Sequence, residues 1–447
     1  GPSLVGRCAE VMQQREFDVV VLGATGFTGQ LIAKYIAESP PQVDGRPWRW
    51  AIAGRSADKL AALHGELSEL AHPPAEIIVA DVKDHEGLTA ALSRATLVLN
   101  ATGPYRFLGE PVLAAALAAG THAMDISGEP QYIEGAFHKH FAEAVSRGVL
   151  IISAAAFDSV PADIGALFTA RQFGDVGLCS SIESFLRVKG GPDGARGHFT
   201  TYECAVHGVG DAASLRALRR EIDAGGLPRA TPLGPRMEMR QSSYFEPRMQ
   251  RYAFPFIGAD ASVVRLSQRL LVQRGVTANM PRYNAYATIG SWASLSLLGI
   301  FGAAFQTLAT TEWGRSMLLA RPGLFTNGFF THEGPTAAQM RDTSFSMTMF
   351  AQGYVNRDDD KPRRRVVTCI SGPEPGYVAT PIIFVTLAST LLDKRASLPP
   401  GGVLTPAAAF EGVLDDVVAG LNQRGVTMRV ESDAVDAEWP AVGEAQP

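Results

Sequence analysis

The run Val19-Val20-Val21-Leu22-Gly23-Ala24-Thr25-Gly26-Phe27-Thr28-Gly29 passes from an apolar, strand-like segment through a glycine-rich turn into a helical pattern. Glycines in G-x-x-G-x-x-G spacing let the backbone turn sharply and come close to a ligand. The N–H groups opening the next helix then point at an anion placed there. Gly23, Thr25, Gly26, Phe27, Thr28 and Gly29 are therefore candidate contacts to a dinucleotide pyrophosphate. Glycine turns also arise for purely steric reasons, so the flanking pattern has to decide.

Outward from that turn, strand-like runs at residues 17–22, 50–53, 77–80, 96–100, 122–126 and 149–153 alternate with helical patterns as far as about residue 173. Short strands separated by helices imply right-handed crossovers and a parallel sheet covered on both faces. The expected fold class is α/β, a Rossmann doubly wound sheet whose ligand crevice lies at the carboxyl ends of the strands.

Each strand end then has a reading. After strand two comes Gly54-Arg55-Ser56, where an NAD enzyme places an acid on the ribose 2′-OH. Here an arginine and a hydroxyl suit a 2′-phosphate, which makes NADPH the expected cofactor; otherwise Arg55 is an exposed helix-start residue. Asp81 and Val82 follow strand three and are placed to touch adenine, unless Asp81 caps the next helix. Ala101, Thr102, Gly103 and Pro104 follow strand four and are small enough for the backbone to pass close to the nicotinamide-side ribose. Tyr105, Glu129 and Asp158 lie just past strand ends and are the candidate catalytic groups. Their alternative roles are packing for Tyr105, and helix capping or loop bonding for the two acids.

Beyond about residue 171 the alternation stops. Strand-like runs at 181–189, 282–287, 344–350 and 363–370, with a charged helix at 211–222, indicate a second α+β domain with a mostly antiparallel sheet. Residues 225–240 read as an exposed loop and 380–392 as an apolar helix, and a turn at 401–406 precedes a helix at about 410–423. The acidic tail beyond residue 430 reads as disordered. Residues 283–311 carry no charge, with Trp292 and Trp313 near the ends of an apolar stretch. A buried helix, an interfacial helix and a membrane span are all open for it.

At 447 residues, two or three domains are expected. A net charge of -5 and no basic stripe with interleaved aromatics exclude a case for nucleic acid. Cys8, Cys179, Cys204 and Cys369 are far apart and in no metal spacing, so they read as free thiols of a reducing, cytoplasmic setting. Gly1-Pro2 reads as a tag-cleavage scar, with a natural start near Met12. No tyrosine is followed four residues later by lysine, so the proton-relay pair of short-chain reductases is missing, as are H-E-x-x-H, G-x-S-x-G and P-loop motifs. Hydride transfer needs little from a protein beyond orienting the cofactor and supplying a proton or hydrogen bond.

Several motifs stand in an order that resembles one family. They are Gly23–Gly29, Ala53-Gly-Arg-Ser56, Gly103-Pro-Tyr-Arg106, Asp125-Ile-Ser-Gly-Glu-Pro130, Phe157-Asp-Ser-Val-Pro-Ala162, Gly372-Pro-Glu-Pro-Gly-Tyr377 and Gly401-Gly-Val-Leu-Thr-Pro406. From about residue 17 to 430 the chain is similar to the saccharopine dehydrogenase-like oxidoreductases of eukaryotes. Details at His198-Phe-Thr-Thr-Tyr202 and residues 215–220 are nearest plant-type members, and the mycobacterial trans-acting enoyl reductases of glycolipid synthesis are more distant relatives. The resemblance implies a Rossmann domain at 16–172, a second domain at 173–400, a helix at 401–430 returning to the first domain, and a tail at 431–447. It further implies an NADPH-dependent reductase of a C=C or C=N bond in a hydrophobic substrate, or an NADPH-binding protein without turnover. Association with lipid droplets or membranes is implied too, and a homodimer is compatible. Lysine catabolism does not carry over, because true saccharopine reductases have G-x-G-x-x-G and a different strand-five loop.

Overall fold

The computed structural model describes residues 15–439 apart from 230, 233, 238 and 278. The expected tag scar, Cys8 and the end of the tail lie outside those residues. In chain order the elements are β1 (Phe17–Leu22), α1 (Phe27–Glu38), β2 (Trp50–Gly54), α2 (Ala57–Leu67), β3 (Glu76–Val79), α3 (His85–Ser93), β4 (Ala95–Asn100), α4 (Tyr105–Ala119), β5 (His122–Asp125), α5 (Pro130–Arg147) and β6 (Leu150–Ile152). There follow α6 (Val160–Arg171), β7 (Leu178–Lys189), α7 (Phe199–Gly210), α8 (Ala212–Ala224), β8 (Tyr244–Glu246), β9 (Arg251–Pro255), α9 (Asp260–Gln273), β10 (Arg282–Ile289), α10 (Trp292–Ala309) and α11 (Glu312–Ala320). The last are β11 (Ser344–Tyr354), β12 (Arg364–Pro373), α12 (Thr380–Asp393), β13 (Gly402–Leu404), α13 (Leu414–Gln423) and β14 (Thr427–Val435), with two-residue strands and short helical segments between.

Two compact units result, each built from two stretches of chain. The first runs through Phe157 and resumes at Tyr377–Leu421. Its seven strands are all parallel, in the order β13-β6-β5-β4-β1-β2-β3. The sheet is buried on both faces, which is why β1 reads as an unbroken apolar run. Helix α1 buries Ile32, Ala33, Ile36 and Ala37 at helical spacing. Strand order reverses about β1, between β4 and β2, and that switch point sets the crevice.

The second unit comprises Asp158–Gly376 and the chain from Asn422. Its seven strands run β8-β9-β10-β7-β11-β12-β14, antiparallel except for the β10/β7 pair. Helix α6 packs on this sheet: a Cβ at Gly165 would sit 2.8 Å from Met349, and Thr169 bonds the Thr368 hydroxyl at 2.6 Å.

Four expectations from the sequence are corrected. The boundary near residue 172 moves to Phe157, because α6 packs under the second sheet. Residues 377–400, expected in the second domain, belong to the first, where α12, buried from Thr380 to Leu391, packs against α1. The turn at 401–406 contains a strand, β13, which pairs with β6. Residues 431–435, expected in a disordered tail, belong to strand β14 on β12. Its acidic face is matched by arginine there, with Arg364 on Asp433 at 2.6 Å.

The uncharged stretch at 283–311 divides into strand β10 and helix α10. A buried helix is overturned. Within α10 only Ala309 is buried, while Trp292 is 67% and Ile300 69% exposed. Its inner residues Phe305 and Leu308 pack on a cluster formed by Tyr202, Val206 and Leu318, and Trp313 on α11 is also exposed.

Candidate functional site: a dinucleotide crevice

The turn after β1 is built for close approach. Gly23 sits at φ +81°, where a side chain is strained, and a Cβ there would lie 2.7 Å from the Thr102 methyl. A Cβ at Gly29 would lie 2.1 Å from the Gly23 carbonyl oxygen. The Gly26 N–H closes the turn on that same oxygen at 3.0 Å. Gly26 is also the N-cap of α1, and no side chain caps that end. Thr25, Phe27 and Thr28 line this entry to the helix, and the Phe27 ring meets Tyr377 edge-on at 5.0 Å. The arrangement fits a pyrophosphate held by backbone N–H groups at an uncapped helix start.

At the β2 end Arg55 is exposed, and among the described residues no hydrogen bond to its guanidinium is found. Ser56 is the N-cap of α2, accepting the Lys59 N–H at 3.4 Å. Lys59 is exposed on that first turn, four residues after Arg55, and is a second cation that the motif reading missed. Asp81 accepts the Lys83 N–H at 3.0 Å in a local turn, with Val82 half-buried between them.

At the β4 end the structure adds Asn100. Its Oδ1 accepts the N–H of Thr102 at 3.0 Å as well as the Thr102 hydroxyl. Its Nδ2 is buried with no partner, a donor at the carboxyl end of the strand beside the glycine turn. A polar residue closing Leu97-Val98-Leu99 was the available sequence signal. Ala101, Gly103 and Pro104 complete the strip between Asn100 and α4. These features fit a bound dinucleotide.

Tyr105 and Glu129 do come together. The Glu129 carboxylate, 2% exposed, accepts the Tyr105 N–H at 2.8 Å and Arg106 Nε at 2.6 Å. The Tyr105 phenol is buried and donates to the Asn100 carbonyl at 2.8 Å, its ring 5.4 Å from that of Tyr132. Asp125 accepts from the N–H groups of Ser127 and Ala154, each at 3.0 Å, and from the Tyr132 hydroxyl at 3.0 Å. Burial raises the Asp125 pKa, and these hydrogen bonds oppose the rise. The ends of β4 and β5 and the chain just past β6 are thereby tied into one buried network. Asp158 belongs to the second unit, where it is exposed beside Ser159, the N-cap of α6. Two buried carboxyls of that unit, Asp163 and Asp260, are near it, and the Asp260 pKa is raised first by burial and then by the Asp158 and Asp163 charges. Cys179, Cys204 and Cys369 are free thiols.

A doubly wound sheet with this turn and this β2 end defines a dinucleotide-binding oxidoreductase of the Rossmann class. A profile for the saccharopine dehydrogenase NADP binding domain matches residues 19–152. The chain belongs to the saccharopine dehydrogenase-like oxidoreductase family, and its cofactor is NADPH. A rat saccharopine dehydrogenase-like oxidoreductase is 39% identical over 94% of this chain and 99% of its own. A probable mitochondrial relative from Arabidopsis thaliana is 31% identical over 93% and 96%, so across the whole chain the mammalian sequence is nearer than the plant one. A lipid droplet localized protein of Caenorhabditis elegans is 33% identical over 93% and 99%, and a putative trans-acting enoyl reductase of Mycobacterium tuberculosis 28% over 90% and 94%. In structure, the chain resembles saccharopine dehydrogenase (L-Glu forming) from Saccharomyces cerevisiae, with a TM-score of 0.53 at 15% identity over 93% of this chain and 99% of the other.

Proposed function

We propose that this chain is an NADPH-dependent reductase of a C=C or C=N bond in a hydrophobic, lipid-like substrate. The observation that carries the reading is the β4 end, where a strip of small residues and the unpaired Asn100 amide lie beside a glycine turn suited to a dinucleotide. Bound there, NADPH supplies a hydride. Arg55 and Lys59 hold the 2′-phosphate, and the N–H groups at the start of α1 hold the pyrophosphate. Tyr105 and Glu129 act as positioning residues, since their polar atoms already fix the first turn of α4 against the β4 end. The enoyl reductase name of the mycobacterial relative favours C=C over C=N.

The test is NADPH consumption with a panel of hydrophobic enones and imines and with cell lipid extract. Turnover on one class identifies the bond. Tight NADPH binding with no consumption on any of them favours the alternative, a binding protein without turnover.

A second reading, compatible with the first, is that α10 lies in a lipid surface. The exposed Trp292, Leu297, Leu298 and Ile300 favour it, since each apolar side chain moved out of water gains about 1.5–3 kcal/mol when fully buried. Because the inner face of α10 is already packed, an interfacial position fits better than a span.

A further inference from the structure

The motif Gly372-Pro-Glu-Pro-Gly-Tyr377 is far from the glycine turn in sequence, yet its last residue ends up against it. Tyr377 is the first residue of the first unit after the chain returns from the second. Its side chain is 7% exposed, and its ring meets the Phe27 ring edge-on, the centroids 5.0 Å apart. Phe27 is the first residue of α1 and follows Gly26, an N-cap that no side chain caps.

The local structure around Tyr377 is unusual. Pro375–Ala379 form a single π turn ahead of α12, with Tyr377 at its middle. A π turn carries one residue more than an α turn, so it moves its side chains out of register with the helix that follows, and such turns recur at functional sites. The turn that Tyr377 reaches, in contrast, lacks stiffness of its own. Three of the seven residues from Gly23 to Gly29 are glycine, the residue that loses most conformational freedom on ordering. A helix end without a side-chain cap also frays. The N–H groups opening α1 present a fixed set of donors to a pyrophosphate only when the first turn is held from outside. Phe27 carries the one large side chain in Gly23–Gly29, and its ring contacts Tyr377.

We propose that Tyr377 is a positioning residue for the cofactor, acting through Phe27 to hold the glycine turn and the start of α1 in the form that takes the pyrophosphate. The inference rests on the pyrophosphate lying at the start of α1, and it adds a residue that no nucleotide-binding motif contains. Edge-to-face aromatic pairs are directional as well as apolar. An aliphatic side chain at 377 therefore fills space without fixing the Phe27 ring.

The experiment is calorimetric titration of the whole chain, each variant held well below its unfolding midpoint so that only folded protein is read. The probes are NADPH, NADH, 2′-phospho-ADP-ribose, which has the pyrophosphate but no nicotinamide, and adenosine 2′-monophosphate, which has neither. Tyr377→Leu should weaken the first three by roughly 3- to 10-fold and leave adenosine 2′-monophosphate unmoved. Tyr377→Phe keeps the ring and should bind all four as wild type does. Phe27→Leu should match Tyr377→Leu, and the double variant should be no weaker than either single one, because both remove the same contact. The proposal is overturned if Tyr377→Leu binds NADPH as tightly as wild type, if adenosine 2′-monophosphate weakens equally, if Tyr377→Phe loses as much as Tyr377→Leu, or if the two leucine losses add. Tight wild-type binding with an indifferent Tyr377 sinks this inference alone. A wild-type protein that binds neither nucleotide sinks the crevice reading with it.

Discussion

At the scale of single residues, the proposed selection of NADPH over NADH rests on Arg55. An exposed guanidinium where an NAD enzyme carries an acid can donate two charge-assisted hydrogen bonds to a 2′-phosphate. A bond to a charged group contributes about 1.5–3 kcal/mol, and solvent at the crevice rim pulls that toward the lower end. Arg55→Ala should weaken NADPH binding by about tenfold and leave NADH binding unmoved, because NADH has no phosphate there. Titration of both proteins with both nucleotides decides the point, and equal weakening for the two nucleotides would refute it. Lys59 should give a smaller loss of the same kind. Tyr105 calls for a different measurement. Its hydroxyl donates to the Asn100 carbonyl inside the protein, so Tyr105→Phe should lower unfolding stability by about 1–2 kcal/mol with turnover per folded molecule nearly unchanged. A large fall in kcat with stability intact would return the phenol to the chemistry. The glycine turn was legible in the sequence because its geometry follows from backbone freedom and local order. The partner of Tyr105 was not, because a side chain's direction depends on packing that no spacing encodes.

At the scale of elements, strands β1 to β6 fall within a few residues of where the apolar runs put them. The failures have physical causes. Strand β13 is three residues long, too short for a period to show, and β14 alternates Met428, Val430 and Ala434 with Arg429, Glu431 and Asp433, a pattern that its overall acidic composition hid. Helix α10 is the reverse case, since its composition reads as core while its outer face is in water. Composition alone cannot tell a buried apolar helix from an interfacial one, because both are uncharged. The exposed side chains make the difference testable. Leu297→Lys with Ile300→Lys should abolish co-flotation with liposomes or isolated lipid droplets, since each lysine must stay solvated. Neither side chain is buried, so stability should barely change and NADPH binding should be kept. If wild-type protein never floats, the exposed face of α10 has no lipid role.

At the scale of the whole molecule, the first unit is discontinuous, and its return segment is locked to the sheet at a buried histidine. His122 lies in β5, 1% exposed, and its Nδ1 accepts the N–H of Leu150 in β6 at 3.0 Å. Its Nε2, which carries the neutral ring's N–H, lies 2.9 Å from Nε of Arg395, a residue between α12 and β13 that donates to the Pro399 and Pro400 carbonyls. The return of the chain after a second unit could not be read from spacing, because nothing local marks Tyr377 as a re-entry point. Burial first, then the Arg395 and Arg15 charges, push the His122 pKa down from 6.5 to about 3. The sign follows from proton binding. Below about pH 6.5 the unfolded chain takes up a proton that the folded unit refuses until about pH 3, so unfolding is accompanied by proton uptake across that window. The stability contributed by neutral His122 is therefore complete above about pH 6.5 and is lost progressively as pH falls toward 3. Between pH 6 and 5 the loss is roughly 1 kcal/mol, since one pH unit corresponds to about 1.4 kcal/mol for a fully differential group. For a unit of this size that lowers Tm by about 2–4 °C. Glu110, its pKa held at about 2 by hydrogen bonds from His140 and Lys139, also loses stability in acid, but from about pH 4.5 downward. Thermal unfolding measured between pH 7 and 5 on wild type and a His122 variant gives the histidine's share by difference. His122→Gln keeps a side-chain acceptor but cannot titrate, so its Tm should be flatter over that interval even if lower throughout. An unchanged slope in the variant would show that acid sensitivity arises elsewhere in the fold.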